Sequence, residues 1–114
     1  MHELSVMTYL LEAVERKAGE IGARRVLAIN LVMGERASVV DDSLLFYFDF
    51  LAPGTIAEGA ALNVRRTPML FFCTACARDY PWSGVNFDCP DCGQTGQVKE
   101  DGSELRIESI EVET

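Results

Sequence analysis

Two Cys-x-x-Cys corners constrain this chain more than any other feature: Cys73-Thr-Ala-Cys76 and Cys89-Pro-Asp-Cys92, with twelve residues between them. Each corner turns tightly enough to aim both sulfurs at one ion. Two such corners at this distance predict a closed, tetrahedral four-thiolate metal site. Gly93, directly after the second pair, suits the sharp backbone turn there. The chain has no further cysteine, so no thiol is left over. Zinc is the leading ion and iron the runner-up, because rubredoxin-like knuckles share the Cys-Pro-x-Cys-Gly form. The alternative of two disulfides needs an oxidising compartment. The opening Met-His-Glu-Leu-Ser lacks the basic region and apolar stretch of an export signal. A reduced, cytoplasmic setting is expected.

The rest of the chain reads as an α+β domain. Leu4, Met7, Leu11, Val14, Ala18 and Ile21 form the apolar stripe of a first helix, with Gly19 and Gly22 where it would fray and stop. Val26 to Met33 predicts a strand with Leu27, Ile29, Leu31 and Met33 on one face. Asp41, Asp42 and Ser43 then introduce a second helix that Pro53-Gly54 closes. Its aromatics Phe46, Tyr47, Phe48 and Phe50 are expected to be buried against a sheet. Leu62 to Thr67 makes a second strand, ended by Pro68. In the last strand, Leu105 to Val112, the apolar phase shifts near Ser109, which predicts a bulge or a change of partner. The predicted architecture is two helices packed on a three-stranded sheet with an inserted zinc-ribbon module. Residues 1–70 with 99–114 form the α+β domain, and 71–98 form the module, folded chiefly by its metal.

Several functions are disfavoured on chemical grounds. A four-thiolate zinc is coordinatively full and offers no open position for substrate or water. His2 is the only histidine, and there is neither a glycine-rich phosphate loop nor an HExxH zincin helix. An enzyme is not expected, and no catalytic residue is assigned. A net charge of -8, from 18 acidic and 10 basic side chains, argues against a nucleic-acid partner. No apolar run approaches the ~20 residues of a membrane span.

On its own, a histidine at position 2 reads first as an ordinary terminal residue. Its chemistry permits more. The Met1 amine, the deprotonated His2 amide nitrogen and the His2 imidazole close two fused chelate rings on one ion, and Glu3 can fill a fourth corner. A planar set of nitrogen and oxygen donors favours nickel(II) or copper(II). Such a site is exposed and releases protons as it fills, which suits delivery more than catalysis.

With these residues in view, the sequence resembles the HypA/HybF family of hydrogenase maturation proteins, which are nickel metallochaperones. The resemblance rests on Met1-His2-Glu3 opening a helix and on the paired Cys-x-x-Cys module. It extends to Gly22-Ala23-Arg24-Arg25-Val26, Gly34-Glu35, the turn from Gly54 to Ala60, and Glu104 to Val112. It implies a nickel site centred on His2 with Met1 and Glu3 contributing, and a structural zinc on Cys73, Cys76, Cys89 and Cys92. The implied partners are a GTPase of the HypB type and the large subunit of a [NiFe] hydrogenase, with urease maturation proteins in some bacteria; the sequence leaves open whether the chain forms a homodimer. Many relatives carry Leu-Ser after Gly-Glu where this chain has Arg36-Ala37-Ser38, a departure that bears on partner choice rather than on metal binding. A rubredoxin-like iron electron carrier and a zinc-ribbon adaptor are the competing readings.

Overall fold

The computed structural model describes residues 3–37 and 41–114. The elements are α1 (Glu3–Glu20), β1 (Arg25–Gly34), α2 (Asp41–Leu51), β2 (Ala61–Thr67), β3 (Leu70–Cys73), β4 (Arg78–Pro81), β5 (Gln97–Glu100) and β6 (Leu105–Glu113). They build two three-stranded sheets, ordered β2-β1-β6 and β4-β3-β5. Two compact units result: Met1–Val32, Ser38–Arg65 and Arg106–Thr114 form one, and Met33–Ala37 with Arg66–Leu105 form the other. The unit around the cysteines thus takes in more chain than the 71–98 module anticipated from the sequence.

In the first unit, α1 buries Val6, Met7, Leu10, Leu11, Val14 and Ala18 and packs on α2. The ends of the expected stripe, Leu4 and Ile21, are instead exposed. The helix stops in a Schellman motif: Gly22 takes φ 68°, its N–H donates to Gly19 C=O at 3.3 Å, and Ala23 N–H donates to Ala18 C=O at 2.9 Å. β1 is the middle strand, so Val26, Ala28 and Val32 are buried as well as Ile29, Leu31 and Met33. Leu27, near its start, is 42% exposed, against the one-face expectation. Arg24 N–H donates to Glu113 C=O and Gly34 N–H to Glu104 C=O, so β6 runs antiparallel to β1. Asn63 bonds Asn30 and Glu35 N–H donates to Thr67 C=O. Strand β2 therefore lies parallel to β1, with α2 in the crossover that a parallel pair requires. Along β6 the half-buried positions are Leu105 and Ile107, then Ile110 and Val112, so the phase does change beside Ser109.

The expectation for α2 needs correction. Its buried residues are Leu44 and Phe48, whereas Phe46 is 64% and Phe50 70% exposed. Residues two apart lie about 200° around a helix from each other, so Phe46 cannot share the face of Phe48.

In the second unit β3 is the middle strand, with Phe71 opposite Tyr80 on β4 and Val98 on β5. Its core is Met69, Phe71, Cys73, Tyr80 and Cys89, with Cys76 and Trp82 packed against them. Tyr80 stacks on Phe71 with ring centroids 5.4 Å apart, donates its hydroxyl to Phe87 C=O and accepts from Gly96 N–H. The segment 33–37 is tied in by the Glu35 carboxylate, which accepts from Met69 N–H at 2.6 Å, and by Arg36, which donates to Asp101 C=O. Arg36 thus makes its contacts inside this unit.

Gly34 lies so close to Gly102 that a Cβ at position 34 would run into the Gly102 carbonyl. That approach lets Arg36 N–H reach Gly102 C=O at 2.8 Å. Gly34→Ala is therefore expected to destabilise the unit by about 1–3 kcal/mol, because backbone rather than a side-chain tip has to move. Chemical denaturation followed by Trp82 fluorescence checks this, and an unchanged midpoint would show the close approach to be dispensable.

Candidate metal centre

Each cysteine pair is held by its own turn. Cys73 ends β3 and Cys76 sits in the turn before β4. The Cys76 N–H points at the Cys73 sulfur, 3.4 Å away. Cys89 and Cys92 lie in the segment between β4 and β5. There Gly93 N–H donates to Cys89 C=O and Cys89 N–H to Gln94 C=O, both at 2.8 Å. Asp88 and Thr95 bridge just outside this turn, and the Thr95 hydroxyl donates to the Asp88 carboxylate. The residue after each second cysteine takes a left-handed backbone: Ala77 at φ 55° and Gly93 at φ 76°. Sequence reasoning found the turn at Gly93 and missed its counterpart at Ala77. The only signal was positional equivalence, since alanine adopts that conformation at a cost of roughly 1–2 kcal/mol.

The four Sγ atoms all lie within 4.8 Å of one another, and those of Cys73 and Cys92 are 3.5 Å apart. Four sulfurs at about 2.3 Å from a central zinc would stand roughly 3.8 Å from each other, so the cluster has the size of a tetrahedral thiolate cage. Cys73 and Cys89 are buried, Cys76 is half-buried and Cys92 is exposed. Left to themselves, sulfurs so close resist becoming thiolates together. The Cys76 thiol is pushed up to about 12, first by its hydrogen bond with Cys92 and then by that with Cys73. Cys89 is pulled below its ordinary value, chiefly by the backbone N–H of Cys92. A divalent cation held by these four sulfurs would reverse that resistance by stabilising every thiolate at once. Arg78, just after the first turn, pairs with Asp91 inside the second, linking the two corners at the surface.

Among the described residues, no other group of three or more histidine, cysteine or acidic side chains could hold an ion. The expected nickel donors Met1 and His2 lie outside the described residues, while Glu3 is the half-buried first residue of α1. No helix of the described residues is long and apolar enough to cross a membrane.

A family model described as "Hydrogenase/urease nickel incorporation, metallochaperone, hypA" matches residues 1–112. A Hydrogenase maturation factor HypA from a strain of Dehalococcoides mccartyi is 46% identical over 114 residues, covering 99% of this chain and 95% of that protein. Another, from Geobacter metallireducens, is 39% identical over 113 residues, covering 99% of this chain and all of its own length. The solution structure of the nickel metallochaperone HypA from Helicobacter pylori superposes with a TM-score of 0.68 at 21% identity, covering 99% of this chain and 98% of that one. At that identity the superposition speaks to the fold alone, mixed α and β.

Proposed function

The chain belongs to the HypA family of nickel-incorporation metallochaperones for hydrogenase maturation, and from that premise we propose that it carries two ions with separate tasks. Members of this family are metallochaperones rather than enzymes. Zinc, held by Cys73, Cys76, Cys89 and Cys92, shapes the second unit. Nickel(II), held by Met1, His2 and Glu3, is the cargo. The protein hands it to the large subunit of a [NiFe] hydrogenase, working with a GTPase of the HypB type, and urease maturation is a second route of delivery. The observation that carries this reading is the family match across residues 1–112, which spans both donor sets in one chain.

Chemistry supports the division of labour. Four thiolates close the coordination shell of zinc and leave no exit for a travelling ion. Nitrogen and oxygen donors without a full thiolate shell exchange their ion more readily and suit nickel(II). The two donor sets therefore differ in softness. Metal analysis of untagged protein, with and without added nickel, tests the proposal. One zinc per chain that survives dialysis, plus one exchangeable nickel, is the expected result. Visible absorption of an iron–thiolate centre, or no nickel uptake, would overturn it.

A further inference from the structure

The outward face of α2 is unlike the surface of an ordinary amphipathic helix. Phe46 and Phe50 are one helical turn apart, so their rings stand side by side along one stripe. Both are more exposed than buried. Phe46 is braced rather than loose: its ring meets Tyr47 edge to face, with centroids 5.3 Å apart. Asp42, four residues before Phe46, and Asp49, three after it, are exposed on the same side of the helix. No lysine or arginine occurs anywhere in Asp41–Leu51. On this helix the face is thus a pair of aromatic anchors whose only flanking charges are anionic.

The geometry points to this face as a docking surface for a partner protein that has an apolar groove rimmed with lysine or arginine. Anchors at i and i+4 are how a helix fills such a groove, and aromatic side chains dominate the binding energy of contacts of this kind. The charges decide between occupants. A second copy applied across a two-fold axis would bring Asp42 and Asp49 against the same carboxylates of its mate, at the repulsive cost of like charges in an interface. An anionic membrane surface is repelled for the same reason. A basic rim is attracted, and the chain's net charge of -8 extends that attraction to long range.

The proposal relies on the delivery reading only for its probes: the HypB-type GTPase and the hydrogenase large subunit. Surface plasmon resonance with the full chain measures both. Phe46→Ala with Phe50→Ala is expected to speed dissociation of at least one probe by about tenfold or more, since lost anchors act on the off-rate. Asp42→Asn with Asp49→Asn is expected to slow association several-fold and flatten its salt dependence, with dissociation nearly unchanged. Both double variants should take up nickel as the wild type does, because none of the four side chains is buried or belongs to a proposed metal site. The phenylalanine variant should melt as the wild type does, and the aspartate variant slightly lower, by the worth of one first-turn charge. Failure of the unmodified chain to bind either probe, or wild-type kinetics in both variants, overturns the proposal. So does sedimentation showing a wild-type dimer that the phenylalanine variant abolishes, because a second copy would then cover the face. Failure of the delivery reading shows separately, as absence of nickel uptake by the unmodified chain.

Discussion

Cys73→Ser is expected to strip the chain of tightly held zinc and unfold the second unit, while both helices persist. The thiol is 1% exposed and belongs to the same small core as Met69, Phe71, Tyr80 and Cys89. Two of those five side chains are thus proposed metal ligands, and the other three must hold a unit of three short strands. Apolar burial contributes roughly 1.5–3 kcal/mol for each large side chain, against an ordering cost of roughly 1–2 kcal/mol for every residue fixed. A structural zinc would supply roughly 10–16 kcal/mol of apparent binding energy, so on the proposed reading its loss would leave the unit without its main source of stability. The readouts separate cleanly. Trp82, the single tryptophan, reports on the second unit, and its emission should shift to the red. Far-ultraviolet circular dichroism reports chiefly on α1 and α2, in the first unit, and should keep its helical signal. Wild-type zinc content in this variant would remove Cys73 from the metal site. Collapse of the helical signal would instead show that the two units fold as one.

What was legible in the sequence follows the range of the physics involved. The cysteine corners are local, and so is the turn at Gly93; both could be read directly, and the structure gathers the four sulfurs into one cage. The phase change in β6 is also local, because period-two alternation either holds or slips. The errors came where tertiary placement decides. Leu27 has the pattern of a core residue, yet lies near the start of the middle strand and remains partly exposed. Phe46 and Phe50 are as apolar as Phe48, and hydrophobicity alone puts all of them inside. Helical geometry, applied to Leu44 and Phe48 as the inner pair, would have sent Phe46 outward. The recruitment of residues 33–37 into the cysteine-bearing unit depends on Glu35 reaching Met69 across 34 positions. No spacing rule encodes such a bond. Gly34-Glu35 could be recognised from family likeness, but its physical role, a close backbone approach followed by a carboxylate cap, emerged only from coordinates.

His2→Ala is expected to weaken nickel binding by about 100-fold or more, because on the proposed reading it removes a direct ligand, where even loss of a supporting partner costs 10–100-fold. It should leave zinc in place, and Cys73→Ser should leave nickel uptake in place, since sulfur and nitrogen donors serve different ions. An added tag ahead of Met1 is a sharper probe, because it converts the amine into an amide and leaves the imidazole untouched. If the amine is a donor, the tag should weaken nickel about as severely as His2→Ala does. Proton traffic gives an independent check. In the proposed site the amine, the backbone amide and the imidazole must all shed or lack a proton to bind. Nickel affinity should therefore rise with pH, and the calorimetric heat should depend on the ionisation enthalpy of the buffer. Loss of the imidazole should reduce both dependences. Equal affinities for tagged and untagged protein would take the amine out of the site. Equal affinities for wild type and His2→Ala would move the cargo elsewhere on the chain and end the proposed division between a nitrogen-donor set for the cargo and a closed sulfur cage for the structural ion.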